Sequence, residues 1–419
     1  MDSVHVFSGA EFSLSRRSID PVALKVLYRL IRSGFVAYLV GGAVRDLLLG
    51  CRPKDFDVGT TAHPYQIQAL FRNSRLIGKR FPIVHVLFGR NRFVEVTTFR
   101  SAHTNSDSPP PERQRAAQNL NPLSFGTPEQ DAWRRDFTVN ALFYDPATFR
   151  VIDYVGGLAD LKTRTIRTVG EPWQHVREDP IRIVRAVRLA GKLGLNFESR
   201  TREAIQDCLS LVLETPRPRL AEEISKLLAI EGADRALQVA WEIGLMQVLF
   251  PRLAREMEYR GRYHWALRNL AALNRLRQNG TELSRPMVLA ALFADLALWH
   301  HEGPSRFTSF AEELRQRGFS RADIENVRLL LNALWRLRKS RHLSRLTRQA
   351  YYGSAKLLYQ TLAPNYGYDP EPYALLRTSN GSKSQNSSLV SLVDFEADRE
   401  AKDRFPVARS DDLQAKAWV

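Results

Sequence analysis

The sequence predicts an α+β fold in which a small mixed-sheet head is followed by an all-helical neck, body and tail. Short apolar runs alternate with helical patterns in the first third of the chain, and helical patterns dominate from residue 176 to about 362. Residues 379–388 are rich in Ser, Asn, Gly and Lys, which is typical of disorder. We therefore expect a lead-in and helix over 1–33, the head over 34–155, the neck over 156–230, the body over 231–376 and a disordered tail over 377–419.

The first elements are a helix and a buried strand. Asp20-Pro21 is typical of a helix start, because Asp caps the first turn and proline has no N–H to lose there. The helix is predicted to run to Ser33 and to end at Gly34. Residues 35–40 are then predicted as a buried strand.

Glycine and proline mark the elements that follow. Gly41-Gly42 ends the strand, and a short helix is predicted through Leu49. Ser101–Gln130 has no periodicity, which indicates a working loop or a disordered segment. The other predicted elements are a strand over 54–58, a helix from His63-Pro64, paired strands over 83–88 and 93–99, and a strand over 149–154.

The composition indicates a polyanionic partner. The 419 residues include 61 Lys and Arg against 45 Asp and Glu, a net charge of +16 that favours nucleic acid or a membrane surface. Only two cysteines are present, which excludes a disulfide framework and a thiolate zinc module. Without an apolar run of membrane-spanning length or a signal-peptide pattern, we expect a cytoplasmic protein with no membrane partner.

Asp55 and Asp57 are the most informative pair in the head. Residues two apart in a strand face the same side, so both carboxylates project together while Phe56 and Val58 face the core. Such carboxylates repel unless a cation lies between them, and oxygen ligands at this spacing suit Mg²⁺. Glu95, on a predicted neighbouring strand, is a candidate third ligand and catalytic residue. Taken alone, Asp-x-Asp also fits a solvated acidic strand face.

A diglycine turn precedes these carboxylates. Gly41-Gly42 lets backbone N–H groups approach a triphosphate, and Arg45 adds a fixed cation. Gly-Gly alone more often marks only a tight turn. A phosphate cradle followed by a metal dyad makes phosphoryl or nucleotidyl transfer the leading class.

These two segments carry a family resemblance. Leu39–Asp46 followed by Lys54–Val58 resembles the catalytic head of the class II tRNA nucleotidyltransferase and bacterial poly(A) polymerase family, in the DNA polymerase β superfamily. The resemblance continues to about Phe250. It implies a nucleotidyltransferase head that uses ATP and two Mg²⁺ ions, with Asp55 and Asp57 as the metal ligands.

Asp131–Ala141 matches the Arg-Arg-Asp segment of that family. The resemblance implies that the nucleotide-binding residues here hold the ribose and triphosphate of the incoming nucleotide. Taken alone, the segment also fits a surface helix start. The residues concerned are Arg134, Arg135, Asp136 and Asn140.

Glu178–Arg182 matches the family's Glu-Asp-x-x-Arg motif. The resemblance implies that Asp179 and Arg182, which share a helix face at this spacing, read the edge of the incoming base, and that Arg185 extends the nucleotide-binding stripe. As a helix N-cap before proline, Asp179 has an equally good structural explanation. Arg219 and Glu223 match the family's Arg-x-x-x-Glu pattern, and we expect this pair to brace a helix face as structural support.

The choice between poly(A) and CCA addition rests on resemblance. Leu76–Val86 resembles the signature of the poly(A) polymerases, with Pro82-Ile83 where tRNA-repairing relatives have Gly-Thr. We therefore expect template-independent addition of AMP from ATP to RNA 3′ ends, with release of pyrophosphate. The alternatives are a tRNA nucleotidyltransferase that adds CCA or part of it, and a catalytically lapsed RNA-binding protein.

A basic run in the body predicts an RNA-binding track. A solvated helix face explains such a run equally well, but phosphate contacts would suit a protein that accepts many RNA 3′ ends. No sequence feature identifies RNA-decay machinery as a further partner. The run comprises Arg336, Arg338, Lys339, Arg341, Arg345 and Arg348.

Overall fold

The computed structural model describes most of the head, neck and body. It covers residues 5–8, 14, 16–78, 82–89, 92–101, 125–259, 263–299, 307–340 and 343–371. The predicted tail over 377–419, Arg341 and residues 102–124 of the predicted loop lie outside these ranges. The described residues up to Pro370 form one compact unit, and the limits of head, neck and body within it remain predictions.

An eight-stranded mixed sheet forms the head, and helices form most of the remainder, which confirms the predicted fold class. The strands are β1 (His5–Ser8), β2 (Ala37–Val40), β3 (Asp57–Thr60), β4 (Ser74–Ile77), β5 (Ile83–Phe88), β6 (Arg92–Thr98), β7 (Leu142–Asp145) and β8 (Arg150–Asp153).

The strand order is β1-β8-β7-β2-β3-β6-β5-β4. β3 and β6 are parallel, with Val58 opposite Val96, and the other neighbouring pairs of this sheet are antiparallel. Parallel neighbours need a crossover connection. Here α3 (Pro64–Leu70) and the β4–β5 hairpin supply it.

Two helices cover one face of the β3–β6 half of the sheet. α1 (Pro21–Arg32) begins as predicted, because Asp20 accepts a hydrogen bond of 2.7 Å from the Val22 N–H. It ends before Gly34, whose φ is 84°. α1 packs on β2, β3 and β6, and α3 packs on β4, β5 and β6. The valines of β5 and β6 that face these helices are buried.

The helices after α3 form parts of the head and nearly all of the neck and body. In the head and neck they are α4 (Pro128–Trp133), α5 (Gly157–Lys162), α6 (Pro172–Glu178), α7 (Arg182–Leu193), α8 (Ser199–Asp207) and α9 (Arg217–Ala229), and α2 (Gly42–Leu48) follows β2. A two-stranded parallel sheet joins β9 (Thr165–Ile166) and β10 (Asn196–Phe197).

Ten described helices lie in the segment predicted as the body. They are α10 (Ala233–Glu242), α11 (Leu245–Leu249), α12 (Pro251–Tyr259), α13 (Tyr263–Gln278), α14 (Arg285–Leu292), α15 (Ala294–Leu298), α16 (Phe307–Gln316), α17 (Arg321–Arg338), α18 (Leu343–Leu346) and α19 (Tyr352–Leu362).

A close helix crossing fixes the direction of α7. A Cβ atom on Gly191 would lie 2.4 Å from the Cβ of Ala236 on α10, so only glycine permits this approach. With α7 held against α10 on this side, its charged side chains on another side reach the head.

The sequence prediction differs from the structure at several strands. β3 begins at Asp57 rather than at residue 54, because β2 ends at Val40 and leaves residues 54–56 without a strand to pair with. β1, β4 and β7 were not predicted. Each is four residues long, and runs this short carry little periodicity.

Candidate active site

The turn between β2 and α2 depends on Gly41. Its φ is 72°, and a Cβ atom there would lie 2.7 Å from Nη1 of Arg135. A side chain would therefore meet both backbone strain and the half-buried Arg135 guanidinium. The predicted diglycine turn is present, and Arg135 lies directly against it.

Three carboxylates interact near this turn. The parallel register of β3 and β6 places Asp57 beside Glu95, and Asp55 is exposed two residues earlier. Burial and the Glu95 charge raise the pKa of the Asp57 carboxyl to about 6; Arg135 opposes this shift and Asp55 adds to it. The structure thus brings together the charges of the three predicted catalytic carboxylates.

Hard oxygen donors that repel one another suit a divalent cation. Among the residues that the structure describes, no three His, Cys, Asp or Glu side chains form a ready metal-binding group. The carboxylates would therefore have to turn towards a shared ion.

Arg135 is a brace for the glycine turn. Its Nη2 lies 2.9 Å from Oδ2 of Asp131, one helical turn earlier, and its Nη1 donates to the Asn140 carbonyl at 3.2 Å. Arg134 donates to the Ser101 carbonyl at 3.0 Å. Both predicted phosphate-binding arginines are thus engaged with the protein itself.

Asp136 is a buried acceptor. Its Oδ1 accepts hydrogen bonds from the Phe137 N–H at 2.9 Å and from the Asn140 amide at 3.0 Å, and its Oδ2 lies 2.6 Å from Nη2 of Arg185. Burial opposes ionisation, but the attraction of Arg185 and these hydrogen bonds hold the pKa of Asp136 below its usual value. Three predicted nucleotide-binding residues, Asp136, Asn140 and Arg185, therefore form one cluster.

Arg45, on α2, extends this cluster. Its Nε donates to Oδ1 of Asp46 at 2.8 Å, and its Nη1 donates to Oδ1 of Asn140. A phosphate contact was predicted for Arg45, but its side chain is only 8% exposed and its guanidinium binds groups of the protein itself. Oδ2 of Asp46 accepts a hydrogen bond of 3.0 Å from Lys192 at the end of α7. A series of polar contacts thus runs from Lys192 on α7 through the head and back to Arg185 on α7.

Asp179 and Arg182 lie where α6 gives way to α7. Asp179 follows the last residue of α6 and Arg182 begins α7, so the two do not share a helix as predicted. Arg219 binds both oxygens of Asp179, each at 2.8 Å. Arg182 donates instead to the His175 carbonyl at 2.5 Å.

His175 lies beneath this junction. Its Nε2 is 3.0 Å from the Arg135 carbonyl, and its side chain is buried. Burial and, after it, repulsion by Arg182 lower the pKa of His175 to about 4. A neutral histidine therefore packs between the turn-bracing Arg135 and Arg182.

Arg219 and Glu223 bind different partners rather than each other. Arg219 holds Asp179, whereas Glu223 lies 3.5 Å from Arg188 on α7. The expected pairing along α9 is therefore replaced by contacts from α9 to Asp179 and to Arg188 on α7. Each contact still braces the segment from Asp179 to Arg188.

The basic run of the body is only partly free for a ligand. Lys339, Arg345 and Arg348 are exposed, and Arg336 is half-buried. Arg338 donates to the Ala297 carbonyl at 3.4 Å and lies 5.0 Å above the Tyr368 ring, so it is committed to the fold.

Sequence reasoning missed Asp46, Asp131, Lys192 and His175. Asp131 had a detectable signal, because it precedes Arg135 by one helical turn. The Asp46–Lys192 contact spans 146 positions, and no local pattern reveals it. Within the described ranges, no helix has the length and apolar character needed to cross a membrane.

Comparison with known proteins identifies two family regions. Residues 37–167 match the poly A polymerase head domain, and residues 194–257 match the probable RNA and SrmB-binding site of polymerase A. The first region contains the glycine turn and the three carboxylates.

Two groups of relatives resemble the chain, poly(A) polymerases and CCA-adding enzymes. Poly(A) polymerase I of Salmonella typhimurium is 48% identical over 247 residues, which are 58% of this chain and 53% of that protein. The CCA-adding enzyme of Lactobacillus helveticus is 39% identical over 217 residues, which are 52% of each. The chain spans about half the length of the curated relatives that it matches.

The fold is also that of a solved relative. The crystal structure of the Bacillus stearothermophilus CCA-adding enzyme in complex with CTP has a TM-score of 0.64 and 28% identity, over 86% of this chain and 83% of that one. Fold, matched domains and sequence identity agree with the resemblance in the motifs. Residues 37–167 and 194–257 are thus similar to the head and RNA-binding regions of the family that contains the bacterial poly(A) polymerases and the CCA-adding enzymes.

Proposed function

We propose that this protein is a template-independent polynucleotide adenylyltransferase, which adds AMP from ATP to RNA 3′ ends and releases pyrophosphate. The observation that carries the proposal is that Arg135 lies against the Gly41 turn and also acts on the charge of Asp57. A glycine turn for phosphates and a carboxylate cluster for metal ions therefore adjoin each other, as nucleotidyl transfer requires.

The nucleotide would bind between the head and the start of α7. Asp179 offers acceptors and Arg182 offers donors for the edge of a base. Arg219 occupies one lone pair on each Asp179 oxygen and fixes the plane of the carboxylate, which leaves the other lone pairs for a ligand. Gly41 and Gly42 would face the triphosphate, with Arg134 and Arg185 near it.

Asp55 and Asp57, with Glu95, would hold two Mg²⁺ ions. The chemistry that Mg²⁺ supplies when bound is a lower pKa of the RNA 3′-hydroxyl and compensation of charge on the leaving pyrophosphate. In the transfer, the 3′-oxygen bonds to the α-phosphorus, the bond from that phosphorus to pyrophosphate breaks, and the hydroxyl proton passes to water. Asn140 would orient the ribose, and Asp136 would hold the Asn140 amide and the Arg185 guanidinium in place.

A tRNA nucleotidyltransferase is the second candidate. A CCA-adding enzyme is 39% identical over half its length, and a structure in complex with CTP shares the fold. The 48% identity to a poly(A) polymerase favours AMP addition. RNA as substrate, the cytoplasm as location and a part in mRNA processing belong to the same proposal. RNA-decay machinery stays a candidate partner that no sequence feature identifies.

A primer-extension assay tests the proposal. The purified chain would receive Mg²⁺ and either an unstructured RNA oligonucleotide or a tRNA without its CCA end, each with ATP, CTP or both. Long ladders on the oligonucleotide with ATP alone support the proposal. Addition confined to tRNA that stops at CC, A or CCA would establish the second candidate. Extension in no lane would favour an RNA-binding protein without catalysis.

A further inference from the structure

Strands β4, β5 and β6 share a face with the catalytic carboxylates. Paired residues point to the same side of a sheet, so the register aligns Asp57, Glu95, His85 and Arg75 across four strands. At about 4.8 Å between strands, this row is ~14 Å long. We call the surface around it the open face, which comprises Asp57, Arg75, Ile77, Ile83, His85, Leu87, Phe93, Glu95 and Thr97.

The open face is solvent-accessible, in contrast to the other side of the same strands. Phe93 is 48% exposed and Ile77 is 45% exposed, whereas Val84 and Val94, which face α3 or α1, are at most 5% exposed. Apolar side chains left on the surface beside a charged site are typical of a binding surface.

A ring pair lies in the middle of the open face. The rings of His85 and Phe93 stack with centroids 4.3 Å apart and planes within 7° of parallel. Nε2 of His85 is 3.3 Å from Oε1 of Glu95, which fixes the pair relative to the carboxylates. The outer side of Phe93 can therefore accept a nucleobase at a defined distance from the reacting atoms.

Arg75 adds a cation at the far end of the row. It is exposed and pairs with His85 across β4 and β5. Within the described ranges, its guanidinium forms no hydrogen bond or ion pair. A guanidinium beside stacked rings is the combination that binds single-stranded nucleic acid.

The order of the strands separates the open face from the nucleotide. Gly41 follows β2 and Asn140 precedes β7, and both strands lie on one side of β3. β6, β5 and β4 lie on the other side. The carboxylates are therefore between the two surfaces, so the open face is where the second substrate can approach them.

We propose that the open face binds the terminal nucleotides of the single-stranded RNA acceptor, with one base stacked on the Phe93–His85 pair and a phosphate at Arg75. This proposal rests on the proposed function. It assigns acceptor binding to side chains on β4, β5 and β6, outside the region predicted from the basic run of the body.

Steady-state extension of an unstructured RNA by the full chain would test it, with KM measured separately for RNA and ATP. Phe93→Leu should raise the KM for RNA about tenfold, because one stacking contact is lost, and leave the KM for ATP within about twofold. Phe93→Trp should keep the wild-type values. Arg75→Gln should reduce the slope of log K for RNA binding against log salt by about 0.7, the contribution of one phosphate contact on a single strand.

Matched controls lie on the covered side of the sheet. Tyr65 on α3 is 55% exposed and also stacks on a histidine, His63, at 5.8 Å. Tyr65→Leu and Arg72→Gln should leave the KM for RNA unchanged. An unchanged KM for RNA in Phe93→Leu, or an effect equal to that of Tyr65→Leu, overturns the proposal.

Two further readouts distinguish acceptor binding from a dimer interface and from an inactive protein. If Phe93→Leu converts a dimer into a monomer in sedimentation, the open face is an interface between copies and the proposal is wrong. If the wild type extends no RNA, the proposed function fails. Fluorescence anisotropy with labelled RNA then tests the open face alone, and about a tenfold loss of affinity in Phe93→Leu is still expected.

Discussion

Nζ of Lys192 lies 3.0 Å from Oδ2 of Asp46, although 146 positions separate the two residues. Asp46 is on α2, directly behind the Gly41 turn, and Lys192 is in the last turn of α7. Because α7 begins at Arg182, this contact joins the proposed phosphate side of the site to the helix that carries a proposed base-reading residue.

Asp46→Asn should destabilise the protein more than Lys192→Met. The first change leaves the buried Arg45 with a weakened partner and should cost about 3 kcal/mol in the free energy of unfolding. The Lys192 side chain is 39% exposed, so its loss should cost about 1 kcal/mol. Urea denaturation measures both values. Strictly additive effects in the double variant would contradict coupling through this contact.

Asp57→Asn should strongly reduce AMP transfer while raising the melting temperature. The pKa of Asp57 is about 6 in the folded protein, above its usual value of 3.8, so its stabilising contribution belongs to the protonated form and is lost as pH rises through 6. At pH 7.5 the ionised Asp57 is repelled by Glu95 and Asp55. The neutral amide of the variant removes this repulsion, so the melting temperature should rise. Activity should fall by at least about 10²-fold.

Differential scanning fluorimetry with and without Mg²⁺ checks the metal assignment. Mg²⁺ should raise the melting temperature of the wild type and leave that of Asp57→Asn unchanged. Glu203→Gln, an exposed change on α8, is the control and should respond as the wild type does. Equal Mg²⁺ responses in all three proteins would argue against metal binding at Asp57.

Arg219→Gln should reduce nucleotide selectivity with little effect on stability. The Arg219–Asp179 pair is partly exposed, so its loss should cost at most about 1 kcal/mol. The Asp179 carboxylate would lose its fixed plane, and the ratio of kcat/KM for ATP over CTP should fall at least about tenfold. Glu222→Gln on the same helix is the control. Retained selectivity in Arg219→Gln would exclude this role.

Acid should weaken the fold through His175. Its pKa is lowered to about 4 in the folded state, against an ordinary value of 6.5, so the unfolded chain takes up the proton first as pH falls. Stability should decline between pH 6.5 and 4 by up to about 3 kcal/mol from this group. His175→Gln should flatten the pH profile of unfolding. A profile as steep as that of the wild type would assign the decline to other groups.

The salt dependence of RNA binding should separate two parts of the basic run. Replacing Lys339, Arg345 and Arg348 together by Gln should reduce the slope of log K against log salt by about 2, if all three contact single-stranded RNA phosphates. Arg338→Gln should leave the slope unchanged, because that guanidinium is already bound within the protein. Equal slopes for the triple variant and the wild type would place the RNA elsewhere.

Local signals in the sequence were sufficient for much of the head. α1 begins after Asp20 and ends before Gly34 as predicted, because a cap and a left-handed glycine act within a few residues. The position of Asp57 beside Glu95 also follows from one correctly predicted neighbouring strand, whereas strand alternation does not apply to Asp55, because that residue precedes β3.

Such local signals did not predict side-chain partners that lie far apart in the sequence. Arg45 was expected at the phosphates but binds Asp46 and Asn140, and Arg219 was expected to pair with Glu223 but binds Asp179. The partner of a charged side chain depends on distances in the folded structure. Spacing along one helix does not determine those distances. The close approach of α7 to α10 at Gly191 is likewise a tertiary contact that no local motif predicts.

The central position of β2 also bears on how the protein is made. One edge of β2 pairs with β3, which follows closely, and the other pairs with β7, about one hundred residues later. On the ribosome, at roughly 5–20 residues per second, that second edge stays unpaired for about 5–20 s. An open apolar strand edge invites wrong pairing. Nascent chains that stop before β7 should therefore aggregate, and chaperones should matter most during this interval.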